Sequence, residues 1–152
     1  MANKALWSVP SYTATLALSC AELNTLASAT LSCASAVIAN SSSTAHVYGA
    51  FELLTWIGTG TCTPYATLYA LAAPDLTNFA ASDDKSMPLG TFFLTTATST
   101  AGALQKRVSL VNVVLPPFDF KLAIDNQTGQ AFSTALGVNK LNYWPYDLNL
   151  NG

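Results

Sequence analysis

The chain has 152 residues, enough for one domain with a core of its own. Charged residues make up 9% of it and apolar residues 51%, with a net charge of −2, whereas ordinary soluble domains are about 25% charged. Disorder is excluded, because it goes with few apolar and many charged residues. So is a direct nucleic-acid partner, since six Lys and Arg scattered from Lys4 to Lys140 make no basic face.

Residues 1–11 read as an extended N-terminal arm carrying Leu6, Trp7 and Val9, and residues 12–152 as a single domain. Tyr12 to Leu18 alternates loosely and predicts a first short strand. Ser19-Cys20-Ala21-Glu22 has the form of a capping box, with Leu23 and Leu26 on one helical face behind it, so a short helix is expected over 21–27. Ser28 to Asn40 is small and polar with Leu31, Val37 and Ile38, which suggests a strand ending at Asn40; Ser41 to Thr44 is a loop. Val47 to Ile57 carries the bulkiest β-formers and predicts a central strand. Gly58 to Thr61 turns it, and Tyr65 to Ala72 returns, with Tyr65, Thr67 and Tyr69 on one face and Ala66, Leu68 and Ala70 on the other. Pro74 to Pro88 is a long loop, of a length that usually serves function or contact. Strands are expected at Thr91 to Ala97 and Lys106 to Leu115, separated by a small-residue loop at Thr98 to Ala103.

Leu115 to Tyr146 has the clearest pattern. Pro116 and Pro117 fix an extended entry. Phe118, Phe120, Leu122 and Ile124 then recur at every second position, the period of a strand with one buried face. Asp125 to Gly129 turns the chain, a looser turn follows at Gly137, and Leu141, Tyr143 and Pro145 alternate with polar or aromatic neighbours. The stretch reads as a β-hairpin-like unit. The fold class expected is all-β: a single-domain β-sandwich or jelly-roll-like barrel with one short helix.

The uncharged stretch from Leu53 to Pro74 is no membrane span, because Gly58, Gly60, Thr59, Thr61, Thr63 and Pro64 interrupt it. A faint apolar stretch before Cys20 weakly resembles a lipoprotein signal, but Pro10 to Thr13 break it, so no leader is expected and both termini are expected to be tied down. Three cysteines, Cys20, Cys33 and Cys62, lack CxxC spacing and read as reduced thiols, with a Cys20–Cys33 or Cys33–Cys62 bridge left open. A surface of hydroxyls, amides and small apolar groups has little charge to keep copies apart, which favours association.

No catalytic, metal or cofactor site is expected. His46 is the only histidine, so any Ser–His–Asp or Cys–His arrangement must use it, and no acid neighbours it in sequence. A carboxylate pair for glycoside hydrolysis would draw on the eight acids, of which Glu52 lies in the strongest strand and faces outward by alternation. Asp75, Asn78, Asp83 and Asp84 lack the spacing of a calcium loop and read as solvated. Trp7, Trp56, Trp144, Tyr65, Tyr69, Tyr143 and Tyr146 would serve a sugar-stacking platform, or a core and a subunit interface. Asn40-Ser41-Ser42 and Asn126-Gln127-Thr128 match the glycosylation pattern, as Ser/Thr-rich sequence does by chance.

One run adds a resemblance. Leu115-Pro116-Pro117, Phe120-Lys121, Asn126, Thr128-Gly129, Asn139, Leu141 and Tyr143 resemble a group of small virion proteins of tailed bacteriophages. Ala73-Pro74-Asp75-Leu76-Thr77-Asn78-Phe79 is similar to that group's loop, with Leu76 where Gly is usual, and the segment Leu18 to Asn24 fits the same layout. The resemblance implies a capsid decoration (cement) protein on the outer capsid surface of the virion, assembled in the host cytoplasm and bridging major capsid protein subunits. It implies no cofactor and no reaction. The expected partners are the major capsid protein and further copies of this chain as a homo-oligomer on the lattice, with no direct nucleic acid and no membrane. The contact residues expected are Leu6 and Trp7 of the arm, Asp75, Asn78 and Phe79 of the loop, and Trp144 and Tyr146 near the C-terminus. The alternative is a carbohydrate- or receptor-binding β-sandwich module of a phage tail or cell surface.

Overall fold

In-out alternation sets the long strands. In the computed structural model, which describes residues 4–7, 15–41, 45–57, 65–75, 77–81, 83–94, 104–134 and 139–151, Tyr48–Ile57 buries every second side chain without a break. In chain order the elements are β1 Lys4–Trp7, β2 Thr15–Leu18, α1 Cys20–Leu23, β3 Thr30–Leu31, β4 Tyr48–Ile57, β5 Tyr65–Ala72, β6 Pro88–Phe93, β7 Leu104–Val114, β8 Phe120–Asn126, β9 Lys140–Tyr146 and β10 Leu148–Asn151. The turns read at Gly58 to Thr61, Thr98 to Ala103 and Gly137 lie outside the described residues, as do residues 1–3 and 8–11 of the arm, Thr95 to Ala97 and Leu76.

Two four-stranded antiparallel sheets pack as a β-sandwich, in the orders β2-β9-β4-β7 and β3-β8-β5-β6, and β1 pairs with β10 as a separate two-stranded sheet. The pairings β1·β10, β2·β9, β3·β8, β4·β7 and β5·β6 are nested. The first half of the chain therefore runs back along the second, with its bend at the β5–β6 connection. Two further pairings, β4·β9 and β5·β8, roll this ladder into two sheets. That is the strand order of a jelly roll. Between the sheets lie Phe51, Leu53, Ile57, Leu141 and Tyr143 of one and Ala66, Leu68, Phe92, Phe120, Leu122 and Ile124 of the other.

This topology corrects the hairpin read over Leu115 to Tyr146. β8 pairs with β3 and β5, whereas β9 pairs with β2 and β4 in the opposite sheet. β5 likewise returns in the sheet facing β4 rather than beside it. Alternation reports which residues are buried, and a strand buries one face equally well in either sheet.

The 28–40 segment departs from a regular strand for a visible reason. Ser32, Ser35 and Ile38 donate their N–H groups to the carbonyls of Ile124, Leu122 and Phe120. Three residues on one side thus match two on the other. The hydroxyls of Ser32 and Ser35 accept the N–H groups of Ile124 and Leu122 at 3.0 and 2.9 Å, so no β8 donor is orphaned there. The helix is also shorter than expected. Its box forms, with Glu22 accepting the Ser19 N–H and hydroxyl at 2.8 and 2.6 Å. The turn ends early because Thr25 sits at φ 60° and gives its N–H to the Phe132 carbonyl.

Each outer strand is blunted against edge pairing. β2 is four residues long with a bulge, β3 is two residues, and β6 opens on Pro88. β7 is eleven residues long but carries Lys106, Arg107 and a bulge at Asn112, where φ is 59°. The strand expected at Thr91 to Ala97 begins earlier, at Pro88, a position where proline's missing N–H costs nothing.

Candidate functional site

The residues expected to make contacts fall on three separate surfaces. Leu6 and Trp7 belong to the terminal ribbon, opposite Asn149 and Leu148 of β10. The ribbon leaves the sandwich through Asp147, the residue between β9 and β10, and that residue is anchored. Its Oδ1 accepts the Val47 N–H at 2.8 Å, and its Oδ2 lies 2.8 Å from His46 Nδ1. Burial disfavours the Asp147 carboxylate, but the Val47 N–H and His46 outweigh this and hold its pKa below the ordinary 3.8. Beside this root is a cleft walled by Val47, Val114, Leu115 and Pro117, with Asn40 at its base. Asn40 is 1% exposed; its amide donates to the carbonyls of His46 and Pro116 and accepts the His46 N–H. Val47, Val111 and Val114 are 53%, 66% and 64% exposed, and Val114 pairs with Tyr48 at the start of β4.

The second surface is the β5–β6 connection, residues 73–87. It folds back over the outer face of its own sheet. Leu71, Ala123 and Asp125 occupy outward positions, yet all three are buried. Lys121 Nζ sits 4.6 Å from the Phe79 ring centre, a cation–π contact. Lys85 Nζ meets Asp125 Oδ2 at 2.6 Å, and the Gln127 amide donates to the same oxygen at 2.8 Å. Asp75 closes the tip: its Oδ1 accepts the N–H groups of Thr77 and Asn78, and its Oδ2 accepts the Asn78 side-chain amide at 2.7 Å. The Asn78 backbone bond, the largest cause, with those from the Asn78 amide and Thr77, lowers the Asp75 pKa. Asp75 and Asn78 are thus a turn-forming pair bonded to each other.

The third surface is the outer face of the β2-β9-β4-β7 sheet. Ala50 lies opposite Trp144, and Glu52 opposite Asn142 and Ser109. Arg107 grips Glu52 with two bonds, Nε–Oε2 at 2.9 Å and Nη2–Oε1 at 3.1 Å, and Asn142 donates to Oε1 at 3.3 Å. Glu52 is therefore outward, as its alternation predicts. Tyr146 does not remain available for a partner. It is 7% exposed, stacks on Tyr48 at 5.9 Å, accepts the Asn112 N–H at 2.6 Å and donates to Asn112 Oδ1 at 2.8 Å. The reason is the β7 bulge, whose left-handed residue points its N–H at the tyrosine rather than along a ladder.

The positions that carry the resemblance have structural work in this chain. Asn126 and Asn139 are fully buried and saturate both ends of their amides, Asn126 on Leu26, Gln130 and Thr128, Asn139 on Thr55, Trp56, Asn24 and Ser133. Gly129 adopts φ 80°, which glycine does without strain. Asn40 and Asn126, the acceptor asparagines of both glycosylation patterns, have no amide to offer a glycan. Asp119 Oδ1 accepts the backbone N–H groups of Asn40 and Ser41 at 2.8 and 3.1 Å. Among the described residues no group of three or more His, Cys, Asp or Glu is placed to hold a metal, and no helix is long and apolar enough to cross a membrane. Cys33 is a free, exposed thiol. Sequence reading missed the His46–Asp147 and Lys85–Asp125 contacts, whose partners are 101 and 40 residues apart and carry no local signature. No family model, curated protein or solved structure matches this chain.

Proposed function

We propose that this chain is a bacteriophage virion structural protein, a capsid decoration (cement) protein that binds the major capsid lattice. The observation that carries the reading is the root of the terminal ribbon: β1·β10 departs beside two exposed valines, Val47 and Val114, on one end of a jelly roll. An arm paired at both ends of the chain and an apolar patch at its base suit a bridge between two neighbouring subunits. Such contacts are weak singly and become strong when symmetry repeats them, since each new contact is made at high effective concentration. The low charge of the chain agrees with close packing among copies on an outer capsid surface.

The test is co-sedimentation of the purified protein with mature and with undecorated phage heads, followed by heating the heads. Saturable binding at a fixed ratio to capsid subunits, with heads that survive higher temperature, is the expected result. Deleting residues 1–9 abolishes binding and leaves the sandwich folded, and Val114→Asp weakens it. An absence of binding to heads overturns the proposal.

A further inference from the structure

We infer that the outer face of the β2-β9-β4-β7 sheet holds a neutral glycan, with Trp144 as the stacking residue and Glu52, Arg107, Asn142 and Ser109 as its hydrogen-bonding floor. The two outer faces of the sandwich differ. On the β3-β8-β5-β6 face the 73–87 connection, held by Lys85 and Phe79, covers Leu71, Ala123 and Asp125 and leaves Phe93, opposite Tyr65, 68% exposed. On the opposite face the side chains of Ala50, Glu52, Asn142 and Trp144 stay half-buried, open enough to touch a ligand.

Its layout is specific. Opposite the half-buried Trp144 stands Ala50, whose single methyl leaves a step beside the indole. One strand repeat further along the same face, about 7 Å, lies the Glu52–Asn142–Ser109 row. The Tyr48–Tyr146 stack closes the other side of the step. An aromatic wall next to a row of fixed donors and acceptors matches a sugar ring, which offers an apolar C–H face and a rim of hydroxyls.

Charge decides the class of occupant. Glu52 and Arg107 neutralise each other through a two-bond grip, and the Glu52 side chain is 16% exposed while Arg107 is 67% exposed. The pair carries no net charge, while Lys140, opposite Leu54 one repeat along the same face, places a cation at its margin. The pair keeps carboxylate lone pairs and guanidinium N–H groups for hydroxyls that both donate and accept. A phosphate or sulfate would compete with Glu52 for Arg107, and a protein cation would compete with Arg107 for Glu52. An uncharged polyol disturbs neither. A peptide strand is disfavoured as well, because the edges of this sheet are blunted by the bulge in β2 and by Lys106, Arg107 and the Asn112 bulge of β7.

The inference goes beyond the capsid reading and does not rest on it: the glycan needs no phage head, and its stacking and floor residues exclude Val114, which borders them opposite Tyr48 on the same sheet. The test uses the purified full chain on an array of neutral hexose and N-acetylhexosamine oligosaccharides, with sialylated and sulfated glycans alongside. Retained neutral glycans are then titrated by calorimetry at low and high salt. The expected result is binding to at least one neutral series that does not change with salt. Trp144→Ala weakens it at least tenfold and Asn142→Ala severalfold, while Trp56→Phe, six residues along β4 from Ala50, leaves it unchanged. Trp144→Phe, which preserves packing, serves if the alanine variant melts early and is expected to keep partial affinity. Failure of every neutral glycan to bind, preference for the charged glycans, or full affinity in both Trp144 variants overturns the inference. The head co-sedimentation experiment is unaffected by any of these outcomes.

Discussion

Replacing Lys85 by Met removes the cation that holds the 73–87 connection over its sheet and keeps most of the side chain's length. Asp125 is 3% exposed, its Oδ1 has no hydrogen-bond partner among the described residues, and its Oδ2 relies on Lys85 and Gln127. Without Lys85 a buried carboxylate keeps one amide donor. Breaking a fully buried pair in this way costs about 3–5 kcal/mol. Here the Lys85 side chain is 41% exposed, so water already screens part of the attraction and part of the loss. A loss of about 2–3 kcal/mol follows, the scale of one charged hydrogen bond with its desolvation. For a chain of this length that lowers the melting temperature by about 4–12 °C. Asp125→Leu combined with Lys85→Met recovers most of the loss, because neither charge is then stranded. Hydrogen exchange followed by mass spectrometry localises the effect: protection falls in residues 77–87 and at Lys121 to Asp125, and stays unchanged in β4 and β9. A single variant as stable as the parent, or a double variant no better than Lys85→Met, refutes the reasoning.

Tyr146→Phe leaves the Asn112 N–H and Oδ1 without the hydroxyl that meets both, and costs about 1–2 kcal/mol by urea titration; Asn112→Gly keeps the left-handed backbone and costs less than Asn112→Ala. Gly49→Ala puts a methyl 2.9 Å from Leu115 Cδ2 and 3.0 Å from Tyr143 Cε2, so it destabilises by about 1–3 kcal/mol through overpacking, against the small gain usual for such a change. Unaltered or raised stability would show that β4 has room there. Ser19→Ala opens the cap of α1 and lowers stability by about 1 kcal/mol. Acid weakens the fold in a defined window. Glu22 is lowered from 4.5 chiefly by the Ser19 hydroxyl, Asp119 from 3.8 chiefly by the Asn40 N–H, and Asp75 and Asp147 from 3.8 as described. Depressed carboxylates contribute fully above their unfolded values and lose that contribution as pH falls through the folded ones. Thermal melts are therefore expected to be insensitive to these four groups above about pH 5 and to fall steadily below about pH 4; a melt that rises on acidification contradicts the assignment.

The sequence by itself determined the long central strands and their buried faces. Alternation of Phe51, Leu53 and Ile57, or of Phe120, Leu122 and Ile124, is a local consequence of pleat geometry, and burial follows it. The capping box at Ser19 and the outward Glu52 were legible for the same reason, because each depends on residues within three positions of one another. Which strand pairs with which was not legible. The nested ladder places β8 and β9, neighbours in sequence, in opposite sheets, and a one-sided apolar pattern fits either sheet. The side chains that fix the choice are buried polar groups, Asn40, Asn126, Asn139, Ser32 and Ser35, which accept or donate across 76 to 115 residues at their longest reach or restore donors to a distorted edge. Their cost if unpaired makes the pairing specific. The candidate site divides in the same way. Trp144 could be named from sequence as an aromatic on a polar strand face, but its neighbours Ala50, Glu52 and Arg107 reach it only through register, and Tyr146, two residues on, is withdrawn by a bulge in β7. Register is a property of two strands at once, and only the tertiary fold supplies the second.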